Sequence, residues 1–130
     1  MKLVLKLEEL AMWIGCVILL YVSQAAWWWY ALMFLGPDVS MLGYLVNTKV
    51  GAWSYNLFHH KGMALFITLL GFALNLPNDG PSNMPDTDFL IYVGIILFGH
   101  SSMDRFFGYG LKYENGFKFT HLGEIGKRPL

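Results

Sequence analysis

At 130 residues the chain suits one domain, and 55% hydrophobic against 14% charged residues leaves too few charges to cover a small soluble surface. Nine Lys and Arg balance nine Asp and Glu, so no basic excess exists to hold nucleic acid, and the single Cys16 excludes an intrachain disulfide framework. With a mean hydropathy of +0.44, the composition excludes a disordered chain and predicts an integral membrane protein.

The first apolar segment covers residues 8–24 and follows Lys2 and Lys6. Val22-Ser23-Gln24 makes a poor signal-peptidase site and further apolar segments follow, so the segment reads as a span. The second covers 27–46, and its opening Trp27-Trp28-Trp29-Tyr30 has the composition of an interfacial aromatic belt. The third covers 52–76, the Pro, Gly, Asn and Asp of 77–86 spell a loop, and the fourth segment covers 88–109. A tail, 110–130, remains. The expectation is an all-α, four-helix membrane bundle forming a single transmembrane domain.

Charge sets its orientation. Lys2, Lys6, Lys49, Lys112, Lys118, Lys127 and Arg128 all fall on one side of four spans, while the connections 23–26 and 77–87 carry no Lys or Arg. The positive-inside rule makes that side, with both termini and the tail, cytoplasmic.

Ionisable groups at membrane depth are expensive and point to function. The second segment holds Asp38, the third His59, His60 and Lys61, and the fourth His100, Asp104 and Arg105, with Glu8 and Glu9 at the mouth of the first. At the rise of a helix, Asp38 and His60 lie roughly 12 Å, and His100 roughly 13 Å, from the inner ends of their segments. His100 and Asp104 share a face at i and i+4. Imidazoles and carboxylates converging from facing helices are ligands for zinc, iron or manganese. Asp38, His59, His60, His100 and Asp104 are therefore the candidate ligands of a divalent metal ion. Adjacent histidines point about 100° apart, so one of His59 and His60 faces the site; His60, with Asn56 one turn away, is favoured. Glu8, Glu9, Asp38 and Asp104 against Lys61 and Arg105 leave a charge deficit that one divalent cation would balance.

The bland readings use the same residues. His100 and Asp104 can bond each other, Asp104 and Arg105 can form an interfacial ion pair, and Asp38 can cap a helix break at Gly36-Pro37. Unwound backbone at membrane depth is itself tolerated only where it lines a cavity.

The motifs Glu8-Glu9-Leu10-Ala11-Met12, Gly36-Pro37-Asp38-Val39-Ser40-Met41-Leu42-Gly43-Tyr44, Tyr55-Asn56-Leu57-Phe58-His59-His60 and His100-Ser101-Ser102-Met103-Asp104-Arg105 follow in order. Gly108-Tyr109-Gly110-Leu111-Lys112-Tyr113 and Thr120-His121-Leu122-Gly123 come next. Together they resemble the small bacterial membrane proteins of domain-of-unknown-function family 4260. The resemblance covers nearly the whole chain and implies a four-helix, multi-pass protein of the bacterial inner membrane, with no established activity. Pro37-Asp38, the His pair and His100-x-x-x-Asp104 also resemble membrane-bound metal-dependent hydrolases, although Val39-Ser40 stands where those carry a further Asp or His.

Two functions follow. In the first, a metal-dependent hydrolase acts on a lipid or other amphipathic ester or phosphoester, with Lys61 or Arg105 steadying negative charge and Glu8 or Glu9 accepting a proton. In the second, a non-catalytic membrane subunit binds a pigment, haem or lipid, or packs into a homo-oligomer or a larger complex through its aromatic residues. Either way the surrounding partners are membrane lipids. His121, in the aromatic tail 117–122, could return to cap the site, and the membrane interface is the favoured place for it.

Overall fold

The computed structural model describes residues 1–75 and 88–127. The loop expected at 77–86 and the charge of Arg128 lie outside the described residues. The described residues are all-α apart from a small hairpin: α1 (Lys2–Val22), α2 (Trp27–Leu35), a 3-10 helix (Gly36–Leu45), α3 (Thr48–His59), α4 (Lys61–Leu74) and α5 (Asp88–Phe107). The hairpin pairs β1 (Phe119–Thr120) with β2 (Gly123–Glu124), antiparallel, with Thr120 opposite Gly123.

The apolar segments are where the sequence puts them, but the second and third are each broken in two. α2 stops before Gly36-Pro37 because Pro37 has no N–H to return to the carbonyl of Met33, four residues back. The chain then tightens into ten residues of 3-10 helix, far longer than such runs usually persist. The second break falls at His60, whose extended backbone separates α3 from α4 with a 49° bend. His60 Nδ1 accepts the Met63 N–H at 3.3 Å, so its side chain caps α4. The first segment departs in the other direction, since α1 already begins at Lys2.

α5 is the central element, with α1 and α4 packed along it and α2 also lying against it. Cys16 and Leu20 of α1, Trp29 and Met33 of α2 and Ile95 and Ile96 of α5 form the buried apolar cluster. Trp29 anchors the start of α2 against Tyr92, with ring centroids 5.1 Å apart. Two glycines permit close approaches. A Cβ on Gly94 would stand 1.9 Å from Thr68 Oγ1 and 2.8 Å from the Ala64 carbonyl, so α5 and α4 touch along their backbones. A Cβ on Gly51 would enter the ring of Tyr44, so the 3-10 helix lies flush against α3. That contact brings Asp38 beside the last turn of α3.

Outside this core, large apolar side chains point away from the protein along every helix, among them Ile14 and Ile18 of α1, Leu35 of α2 and Phe66 and Leu69 of α4. No single helix among the described residues is long and apolar enough to cross a membrane; the bent pair α3–α4 meets length and composition together.

Candidate metal centre

The two breaks that interrupt the helices also build the site. Because Pro37 cannot bond the Met33 carbonyl, that oxygen is available to a side chain, and His100 of α5 takes it: Nδ1 lies 2.7 Å from Met33 O. Likewise, ending α3 at His59 removes the next helical donor to its carbonyl, and Ser101 Oγ–H donates to it at 2.7 Å. The His59 ring turns back on its own helix, Nδ1 at 2.8 Å from the Tyr55 carbonyl.

A carbonyl oxygen only accepts, so both histidines place a proton on Nδ1 and present Nε2 to the centre. The two Nε2 atoms meet carboxylates. His100 Nε2 is 3.2 Å from Asp38 Oδ1 and 3.7 Å from Asp104 Oδ1. His59 Nε2 is 3.5 Å from Asp38 Oδ1 and 3.4 Å from Asp104 Oδ2. One ligand atom from each of Asp38, His59, His100 and Asp104 lies within 4.8 Å of the other three. His59 and His100 are buried, and His59 Nε2 has no hydrogen-bond partner.

With Nε2 of both imidazoles unprotonated, these four atoms are electron-pair donors that one cation could join. Protonating both imidazoles instead would hold two positive rings at a centroid separation of 4.9 Å in a buried pocket. One divalent ion would satisfy the same four atoms, and two carboxylates with two neutral imidazoles would match its charge. The surrounding bonds are those that orient metal ligands: backbone carbonyls fix both imidazoles, and Tyr55 O–H donates to Asp104 Oδ2 at 2.5 Å. The Tyr55 ring also stacks on His59, with centroids 3.7 Å apart and planes 9° from parallel. The Asp38 side chain, 34% exposed, marks the open side.

A family model for a domain of unknown function, DUF4260, matches residues 2–125. The chain belongs to this family. No curated protein and no solved structure matches it. In this DUF4260 chain the cluster draws on the 3-10 helix, α3 and α5, and it could hold a metal ion.

Of the expected ligands, Asp38, His100 and Asp104 converge, and the inward member of the His pair is His59. His60 is exposed and caps α4, which corrects the preference for it: the helix ends between the two residues, so continuous helical geometry does not relate them. The expected catalytic charges also stand elsewhere. Glu9 pairs with Lys61, and Arg105 Nη1 lies 3.9 Å from Glu9 Oε1. Glu8 is exposed on α1. Arg105 follows Asp104 in sequence, but a one-residue step turns it about 100° around α5. None of Glu8, Glu9, Lys61 and Arg105 belongs to the four-residue cluster.

Sequence reasoning missed the tail. Lys112 and Thr120 pair in a β-bridge, and Asn56 clamps Lys112 from α3, accepting from its N–H at 2.6 Å and donating to its carbonyl at 2.8 Å. Trp53 Nε1–H donates to Glu114 at 2.6 Å. The tail therefore lies against α3. The Lys112 ammonium is buried without a hydrogen-bond partner, 4.0 Å from the Phe117 ring centroid and 4.8 Å from that of Tyr55. Burial pushes its pKa down, while Asp104 and Asp38 pull it up. His121 stays outside the cluster, its Nδ1 accepting from the Leu111 N–H at 2.8 Å.

Proposed function

We propose that this protein is a membrane-embedded enzyme that uses one divalent ion on Asp38, His59, His100 and Asp104 to hydrolyse an amphipathic ester or phosphoester. The observation that carries the reading is the convergence of two imidazoles and two carboxylates, one ligating atom of each within 4.8 Å of the others, whose outer partners are backbone carbonyls and a tyrosine hydroxyl. Apolar side chains exposed on all the helices support a lipid surrounding, since water-soluble monomers rarely expose apolar patches so large. In that setting the charge bias of the sequence turns both termini to the cytoplasm.

Zinc, manganese or iron(II) held by these four residues would supply Lewis-acid polarisation of the scissile group and a water activated near neutral pH. The chain's own residues do the rest. Met33 O and Tyr55 O hold the two imidazoles in the ligating tautomer. Tyr55 O–H holds Asp104 in place. Asp38, the most accessible of the four, lines the approach for substrate and water. Lys112 adds a positive charge behind Tyr55 that offsets part of the carboxylate charge.

Purified protein loaded separately with each of the three metals should release product from carboxyl-ester or phosphoester amphiphiles. A chelator should stop the release, and so should Asp104→Ala. Metal bound at the site with no turnover of either ester class would overturn the hydrolase reading. A visible absorption band from a retained organic pigment would favour the non-catalytic alternative.

A further inference from the structure

α1 and α4 both pack on α5 but scarcely touch each other, which leaves a groove of about 440 Å³ between them. Its walls are almost wholly apolar and include Met12, Cys16 and Leu19 of α1, Leu65 and Thr68 of α4, and Phe98 of α5. Leu19 and Leu65 are half exposed, so the groove opens sideways between the two helices.

Each wall continues at the same end into a charge. On α1, Glu9 lies one turn before Met12; on α4, Lys61 lies one turn before Leu65; on α5, Arg105 lies two turns after Phe98. Lys61 joins the two parts directly, with Nζ 3.6 Å from Met12 Sδ and 5.1 Å from the Phe98 ring centroid. Its ammonium pairs with Glu9, and the Arg105 guanidinium makes no hydrogen bond among the described residues. Two cations and one carboxylate, all partly accessible, leave one net positive charge at the end of an apolar slot. Phe98 and His100 are about 200° apart around α5, so the groove and the candidate metal centre occupy opposite faces.

From this arrangement we infer that the groove is a binding site for one anionic phospholipid, its acyl chain between α1 and α4 and its phosphate on Arg105 and Lys61. The slot takes hydrocarbon but offers it almost no polar partner. The cationic end selects an anionic head over a zwitterionic one, and a guanidinium with unused N–H donors suits phosphate oxygens. The inference is independent of the metal reading.

Gly15 provides the test, because it lines the groove and a Cβ added there meets nothing within 4 Å. Native mass spectrometry of the full chain, offered phosphatidylglycerol and phosphatidylcholine with matched acyl chains, should find one phosphatidylglycerol retained per chain, several-fold over phosphatidylcholine. Gly15→Leu, which fills the slot, should remove both lipids, and Leu65→Trp should do so from the opposite wall. Arg105→Gln should abolish the preference while acyl-chain retention persists. Lys61→Gln, which removes one of the two cations and leaves Glu9 beside Arg105, should weaken the preference. Equal retention of the two lipids, retention of neither, or undiminished binding in both slot-filling variants would refute the assignment.

Discussion

Replacing any one of Asp38, His59, His100 or Asp104 by Ala should cut divalent-metal affinity by more than about 100-fold, the upper range for losing an outer-shell partner alone. The four ligand atoms come from three separate elements, so removing one leaves the others without a common charge centre. His60→Ala is the sharp control. It is the immediate neighbour of His59, and on an unbroken helix it would be an equally plausible ligand, yet it caps α4 from an exposed position. Its loss should lower stability by no more than a helix cap, about 0.5–2 kcal/mol, and leave metal affinity unchanged. Affinities measured by competition with a coloured chelator, on protein that remains monodisperse in detergent, separate the two. Equal losses in His59→Ala and His60→Ala would refute the geometry.

Tyr55→Phe should weaken metal binding by about 10- to 100-fold without unfolding the protein. The variant keeps the ring that stacks on His59 and lies beside Lys112, and removes only the hydroxyl that donates to Asp104 Oδ2. Asp104 then loses its strongest orienting bond. If Tyr55 were merely a packing residue, the same variant would leave both affinity and metal selectivity unaltered, so the chelator competition decides between the roles.

The sequence announces Asp38, His100 and Asp104 because an acid or imidazole within an apolar segment is costly without a purpose. What it conceals is where helices stop. Pro37 signals a break, yet only the folded chain reveals that the freed Met33 carbonyl orients His100, sixty-seven residues away in sequence. Nothing comparable to proline marks the break at His60, and a continuous helix assumed over 52–76 turns the wrong histidine inward. Charge counting gathered Glu9, Lys61 and Arg105 with the carboxylates because composition carries no direction. In the fold they lie at the end of an apolar groove on the other side of α5. Lys112 was hidden for a different reason: its segment has no hydrophobic period, and its burial depends on Asn56 and on the bridge to Thr120.

On the proposed reading a divalent ion, and not a set of shared protons, holds Asp38, His59, His100 and Asp104 together. Elemental analysis of gently purified, chelator-free protein decides between the two. About one equivalent of zinc, manganese or iron per chain in the wild type, lost in His59→Ala and His100→Ala and kept in His60→Ala, is the expected result. Protein that stays folded with no stoichiometric metal, and takes none up from micromolar zinc, manganese or iron(II), would contradict it and leave the cluster a hydrogen-bonded network.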